Sequence, residues 1–217
     1  MKREPKTGAL AGPVQATWQR RILPMDRAFS LLEVLVVIAI ILILTTMYWR
    51  NNSDSRPRQQ AELCQKNLEK IFIAMEIYAN DHAGKFPELT GATNAEEPLD
   101  KLVPRYTVDT SVFICPGSKD LPLPPSESFS KGKISYAYYM GRKSGDAREV
   151  LMTDKQVDAK SKMAGQTVFS PDGAPPGNNH SKAGGNFLFC DGHAQPSPAR
   201  APFSIMLTQG VVLLNPK

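Results

Sequence analysis

The sequence has few cysteines and none of the short motifs that mark common enzyme classes. Its three cysteines, Cys64, Cys115 and Cys190, form no C-x-x-C pair, which argues against a zinc ribbon and a thioredoxin-like site. It also lacks the G-x-S-x-G, H-E-x-x-H and P-loop patterns of hydrolases, metalloproteases and nucleotide-binding proteins. We therefore predict that the protein is not an enzyme.

The odd number of cysteines leaves two interpretations open. If the main part of the chain lies outside the cytoplasm, one disulfide is expected. Cys115 with Cys190 is then the favoured pair, because Cys64 falls in a helical pattern. Alternatively, all three side chains are small buried thiols.

Positive charge is concentrated at the start of the chain. The net charge is +5 with a pI of about 9.1, yet 20 cations and 19 anions remain from Phe29 onward. A nucleic-acid-binding surface would place the basic excess on the folded part, so no nucleic acid partner is expected. The six early cations are Lys2, Arg3, Lys6, Arg20, Arg21 and Arg27.

Residues 29–49 form an apolar run without glycine, proline or any cation. As a helix, the run would span about 31 Å, the thickness of a bilayer core. It is longer than the apolar part of a cleaved secretory signal. The preceding cations place residues 1–28 in the cytoplasm and the body outside, with a single span in the inner membrane.

Glu33 is the one aspartate, glutamate, lysine, arginine or histidine inside this run. A charge within a membrane costs several kcal/mol unless it is paired, and residues 29–49 offer no partner. Cleavage between Ala28 and Phe29 would create one, the α-amino group of Phe29, which a neighbouring subunit would present to Glu33. The lone acid thus predicts both proteolytic processing and side-by-side assembly.

The stretch "RAFSLLEVLVVIAI" resembles the prepilin signature of type IV pilins and type II secretion pseudopilins. The resemblance implies a basic leader cut by a membrane peptidase between Ala28 and Phe29, N-methylation of Phe29, and a filament in which Glu33 neutralises the terminal amine of an adjacent subunit. It implies three partners: the prepilin peptidase, an inner-membrane assembly platform, and copies of this chain or other pilin-like subunits. Ala28 departs from the pattern, since the family strongly prefers glycine there.

The segment "NNHSKAGGNFLFCDGH" is similar to a C-terminal motif of planctomycete-type pilin-like proteins, in which a histidine precedes Asp-Gly. One extra residue lies between His180 and Asp191 here. The stretches "YANDHAGKFP" and "FICPGS" are also similar to these proteins. The similarity implies their fold and export route, not a biochemical task for the body.

The predicted fold is α+β and pilin-like: a long N-terminal helix, kinked near Pro57, packs its second half on a small antiparallel sheet. Gly84 and Pro87 signal the helix end. The predicted domains are residues 1–28 (cleaved leader), 29–49 (transmembrane and filament-core helix), 50–84 (amphipathic continuation) and 85–217 (extracytoplasmic body). The apolar face of the continuation consists of Cys64, Leu68, Ile71, Phe72, Met75 and Tyr78.

Residues 85–135 are predicted to form a long connection with short elements such as "TSVFICP". Strands are expected in "ISYAYYMG", "REVLMTD" and "GVVLLNP", and a hairpin in "NFLFCDGHAQ". Alternation places Tyr136 and Tyr138 on one strand face and Tyr139 on the other, which favours core packing over a recognition surface.

Two interpretations of the polar residues near the C-terminus stay open. His180, Asp191 and His193, with Asp154 or Asp172, are candidate ligands for a Zn, Mn or Fe ion, because imidazole and carboxylate suit these metals. The alternative assigns Asp191-Gly192 to a two-residue type I′ turn and the histidines to loop structure. No other cofactor is expected.

The main functional prediction is a structural subunit of a type IV pilus-like or type II secretion filament, periplasmic or on the cell surface. The alternative is a membrane-tethered extracytoplasmic domain that binds a ligand or metal and does not polymerise. A secreted metalloenzyme is a third hypothesis, which would lose its metal on His180→Ala.

Overall fold

The computed structural model describes residues 30–52 and 55–217, and the chain divides after Met47 into two compact units. Helix α1 spans Leu31–Asn52 and helix α2 spans Ser55–Asp81. The predicted kink falls at a junction containing residues 53 and 54, which lie outside the described residues. Pro57 is the third residue of α2 and lies in its first turn. The N–H groups of the first turn have no carbonyl partner within the helix, so the N–H that proline lacks costs no helical hydrogen bond.

Helix α1 is apolar on all sides. Leu31–Tyr48 is long and apolar enough to cross a membrane, by length and composition, and none of it is buried. Its two threonines bond to the backbone of the same helix: the Thr45 hydroxyl donates to the Ile41 carbonyl at 2.9 Å and the Thr46 hydroxyl to the Ile43 carbonyl at 2.8 Å. Such internal pairing suits a helix in an apolar environment.

Helix α2 is amphipathic, as predicted. Five of the six residues of the predicted face are buried and Phe72 is half-buried, whereas Glu62, Lys66, Glu69 and Lys70 are exposed. The helix ends before Gly84, whose φ is +77° and whose N–H donates to the Ala79 carbonyl at 2.8 Å. This is a common way for a helix to end at glycine.

The connection from residue 85 to residue 135 consists of short elements, as expected. It contains helix α3 (Glu96–Leu99) and three 3₁₀ turns, Asp100–Leu102, Thr110–Phe113 and Phe129–Lys131. The second turn lies in the predicted "TSVFICP" segment and contacts α2.

One five-stranded antiparallel sheet forms the centre of the body. Its strand order is β4-β3-β2-β1-β5, and all four predicted strand regions are confirmed. The strands are β1 (Tyr136–Met140), β2 (Val150–Asp154), β3 (Gly185–Phe189), β4 (Ala194–Ser197) and β5 (Val212–Leu214).

Both faces of the sheet are covered. Tyr136 and Tyr138 pack in the core between the sheet and α2, whereas Tyr139 lies in a second core on the opposite face with Phe169 and Phe187. The predicted alternation of these tyrosines is therefore confirmed. The α+β prediction is confirmed as well, and the architecture is consistent with a pilin-like fold.

The β3–β4 hairpin is present, but the predicted type I′ turn is wrong. Phe189 donates its N–H to the His193 carbonyl and accepts at its own carbonyl from the Gly192 N–H, both at 3.0 Å, and Gly192 has a φ of +92°. Asp191 has a negative φ, so the loop contains three residues and ends in a bulge at glycine. The glycine also allows α2 to approach closely, because a Cβ there would overlap the Phe72 ring.

Candidate functional site

The first turn of α1 contains Glu33. The backbone N–H groups of Glu33 and Val34 both donate to the Ser30 carbonyl, at 2.9 and 3.2 Å. A carboxylate in the first helical turn interacts favourably with the helix dipole. Glu33 is exposed, as are the apolar side chains around it, so its charge has no partner among the described residues of this unit.

Ala28 and Phe29, the predicted processing residues, lie outside the described residues. The first described residue is Ser30, which directly follows Phe29, the predicted new N-terminus. Cleavage before Phe29 therefore stays a prediction.

A buried polar cluster lies where β2 ends. The Asp154 carboxylate is 0% exposed and accepts from the backbone N–H of Asn186 at 2.8 Å, and from the amides of Asn186 and Asn179 at 3.1 Å each. His180 Nε2 lies 3.2 Å from the same carboxylate, and its side chain is fully buried. Several neutral donors and one imidazole thus surround a buried charge, the condition under which such a charge is tolerated.

The disulfide joins Cys64 to Cys115, not Cys115 to Cys190 as favoured from the sequence. Cys64 is indeed helical, but its face of α2 packs against the segment after the 3₁₀ turn Thr110–Phe113, which brings the two Cα atoms within 5.3 Å. That separation suits a disulfide. Cys190 is a free, buried thiol at the β3–β4 turn.

The disulfide and the polar cluster touch each other. Cys115 Sγ lies 3.4 Å from His180 Nε2, the same nitrogen that faces Asp154. A catalytic nucleophile–histidine–aspartate triad uses the two ring nitrogens separately, one for the nucleophile and one for the carboxylate. This arrangement does not, and its sulfur is already in a disulfide.

Asp191 and His193 form a separate pair at the surface hairpin. His193 Nδ1 lies 2.6 Å from Asp191 Oδ1, which also accepts from the His193 backbone N–H at 3.1 Å. The His193 ring stacks on Phe189 with centroids 4.1 Å apart. Partial burial opposes ionisation of Asp191, but the bonds from His193 and its charge outweigh this and lower the pKa of Asp191.

The structure therefore distributes the predicted metal ligands between two places. His180 is beside Asp154, one of the two carboxylates suggested for it, whereas Asp191 and His193 contact each other. Asp172 lies in neither place: its Oδ1 accepts from the Ser170 hydroxyl at 2.8 Å and the Ala174 N–H at 2.9 Å. These bonds from Ala174 and Ser170 lower the pKa of Asp172.

The pairing of the cysteines predicts a specific thiol count. Burial raises the pKa of Cys190 to about 12, so the thiolate that reacts with labelling reagents is scarce at pH 8. We expect the folded, oxidised full-length chain in detergent to label at no cysteine, the same chain unfolded without reductant at Cys190 alone, and the unfolded reduced chain at all three. Mass spectrometry of alkylated peptides gives the count and the position. Labelling of Cys64 without reductant would contradict the observed pairing.

Sequence reasoning missed the part of the cluster contributed by Cys64, Asn179 and Asn186. The signal for Asn179 was its place directly before His180 in a loop, and for Asn186 its position in an otherwise apolar strand. The role of Cys64 depends on packing between segments 51 residues apart, which local pattern does not reveal.

Comparison with known proteins identifies the N-terminal region. The prokaryotic N-terminal methylation motif matches residues 23–49, a segment that includes Ala28, Phe29 and Glu33. No curated protein and no solved structure matches the chain. The resemblance of the C-terminal segment to planctomycete-type proteins therefore stays a prediction from the sequence. The N-terminal region carries the prepilin-type signature, which supports a type IV pilin-like or pseudopilin-like precursor.

Proposed function

We propose that the protein is a structural subunit of a type IV pilus-like or type II secretion filament. It is made as a precursor, cut between Ala28 and Phe29, and N-methylated on Phe29. The observation that carries the proposal is the methylation motif at residues 23–49 with Glu33 as the single acid inside its apolar run.

The character of α1 supports a role in lipid first and in a filament core later. Apart from Glu33 and two threonines, its side chains over Leu31–Tyr48 are apolar, and they are exposed. The threonine hydroxyls bond to the backbone of the helix. Helices of this kind leave lipid for a helix-lined interior at little hydrophobic cost, because lipid tails and apolar side chains are alike. We therefore assign the contacts that hold the polymer together to residues 29–49.

Glu33 supplies the specificity of this packing. Residues 29–49 contain no lysine, arginine or histidine, so the carboxylate has no cation within the apolar run until cleavage creates the Phe29 amine. A neighbouring subunit displaced along the helix axis presents that amine to Glu33. Pairing removes the cost of an isolated intramembrane charge, and only a processed neighbour provides it.

The exposed side of α2 supports a second contact between subunits. Leu63, Ile73 and Ile77 are 49–60% exposed, and at about 100° per residue they lie within one narrow stripe of the helix. Lys66 and Lys70 lie in the same stripe, where their alkyl chains extend the apolar surface. We assign this stripe to packing against another copy of the chain.

The membrane location of the precursor follows from the same features. The basic residues before Phe29 place the leader in the cytoplasm and the body outside, with α1 in the inner membrane. The partners are the prepilin peptidase, the assembly platform and other pilin-like subunits. No catalytic role is assigned to the body, since the buried contact among Cys115, His180 and Asp154 has the wrong geometry for a triad.

The proposal is tested by following the full-length chain in cells with and without an active prepilin peptidase, with the assembly platform present in both. We expect the chain in the sheared filament fraction only when the peptidase is active, because an uncut neighbour has no terminal amine to pair with Glu33. Immunoblotting of filament and membrane fractions makes the measurement. A chain confined to membranes in both strains would favour the tethered, non-polymerising domain.

A further inference from the structure

The disulfide and the buried polar cluster together form a set of four metal-binding side chains. Among the described residues, they are the one group of three or more such side chains whose ligand atoms all lie within 4.8 Å of one another, and every member is buried. The members are Cys64, Cys115, Asp154 and His180. They come from four separate segments: α2, the segment after a 3₁₀ turn, the end of β2, and the loop before β3.

The distances fit a tetrahedral ion. With zinc–ligand bonds of about 2.0–2.3 Å, the edges of a tetrahedron are about 3.4 Å between nitrogen and oxygen and about 3.6 Å between nitrogen and sulfur. Here His180 Nε2 lies 3.2 Å from Asp154 Oδ2 and 3.4 Å from Cys115 Sγ. The two cysteine Cα atoms, 5.3 Å apart, allow their sulfurs to separate to such an edge once the disulfide is reduced.

The charge balance also favours a cation. Asp154 is fully buried, and within the described part of the chain its one ion-pair contact is with His180. Reduction would add two thiols that become thiolates on metal binding. Buried carboxylates and thiolates in one place are stabilised by a metal ion, since isolated buried charge is costly.

Hydrogen-bond donors around the cluster hold the Asp154 carboxylate in position and are not themselves metal ligands. The Asn186 N–H and the two asparagine amides hold the Asp154 carboxylate in place, as hydrogen-bond donors orient ligating carboxylates in metal sites.

We propose that the body has two alternative states: an oxidised state with the Cys64–Cys115 disulfide, and a reduced state in which Cys64, Cys115, Asp154 and His180 bind one Zn²⁺ ion. The proposal depends on the body alone and is independent of filament assembly. It differs from a site at Asp191 and His193, which supplies two surface ligands and, among the described residues, no third.

The two states interconvert by thiol–disulfide exchange. A protein disulfide accepts two electrons from the two zinc-bound thiolates. The Cys64–Cys115 bond forms and the disulfide of the accepting protein breaks. Two protons from the solvent convert that protein's sulfurs to thiols, and Zn²⁺ is released. A dithiol reductant reverses the reaction. Cys190 takes no part, because it is buried at the hairpin and is not among the four clustered ligands.

The test measures zinc bound per chain in both redox states. The full-length chain in detergent micelles is prepared oxidised or reduced with a phosphine, stripped with a chelator, supplied with Zn²⁺ and desalted. We expect about one zinc per reduced chain and none per oxidised chain. Cobalt in place of zinc should give the visible absorption of a tetrahedral thiolate site.

Two matched histidine variants locate the site. His180→Gln should weaken zinc binding by at least tenfold, whereas His193→Gln should leave it unchanged. Circular dichroism accompanies each sample, and a reduced chain that unfolds without zinc but refolds with it also supports the proposal. A reduced chain that binds no zinc, equal binding in both redox states, or loss of zinc on His193→Gln would overturn it.

Discussion

Replacing Glu33 with glutamine should remove the chain from filaments while leaving it in the membrane. The substitution keeps the size of the side chain and removes only its charge, so a processed neighbour's amine at Phe29 would be left unpaired in an apolar core. Isolated charges there cost several kcal/mol, and each 1.4 kcal/mol is a tenfold change in an equilibrium. We therefore expect at least a hundredfold loss of incorporation, measured by quantitative immunoblotting of sheared filaments.

The matched control is Glu69→Gln, the same change at an exposed position of α2. It should incorporate like the unmodified chain. Glu33→Asp, which keeps the charge on a shorter side chain, should recover part of the loss. Membrane fractionation confirms that every variant is inserted. Normal incorporation of Glu33→Gln would mean that the carboxylate has no role in assembly.

Asp154→Asn should strongly destabilise the body. The carboxylate accepts from the Asn186 backbone N–H, the Asn179 and Asn186 amides, and contacts His180. An asparagine offers one acceptor oxygen and turns an NH₂ group toward donors, so at least one buried donor loses its partner. Because an unsatisfied buried group costs about 1–3 kcal/mol and more than one is affected, we expect a loss of about 3 kcal/mol, measured by urea unfolding of the oxidised full-length chain in detergent.

Asp172→Asn is the natural comparison for this effect. Asp172 also accepts bonds from a side chain and a backbone N–H, from Ser170 and Ala174, but it is exposed, so water can replace a lost partner. Its substitution should shift the unfolding midpoint far less. Equal shifts for the two variants would show that burial of Asp154 does not determine its contribution.

The sequence correctly predicted the features that depend on a pattern of residues within one helix, strand or short segment. The helical spacing from Cys64 to Tyr78 predicted which side of α2 is buried, and alternation placed Tyr138 and Tyr139 on opposite faces of β1. Both patterns depend on the geometry of a single element. The methylation motif is local as well, which explains why it was found from a short stretch.

What the sequence did not reveal depends on contacts between distant segments. The partner of Cys115 is fixed by how α2 packs on a 3₁₀ turn, so Cys64 could not be preferred over Cys190 from spacing. His180, Asp154 and the disulfide likewise come from separate segments that meet only in the folded chain, and Asp191 and His193 are not in their cluster. The hairpin turn was predicted in place but not in type, because Asp-Gly fits both a two-residue turn and a bulged three-residue loop.

The most direct test of the account is the N-terminal residue of the chain in its assembled form. Filaments are isolated, and the intact mass and terminal peptide of the subunit are determined by mass spectrometry. We predict a chain that begins at methylated Phe29, since only that terminus supplies the cation that Glu33 requires. A filament subunit that still carries Met1 and the basic leader would contradict it.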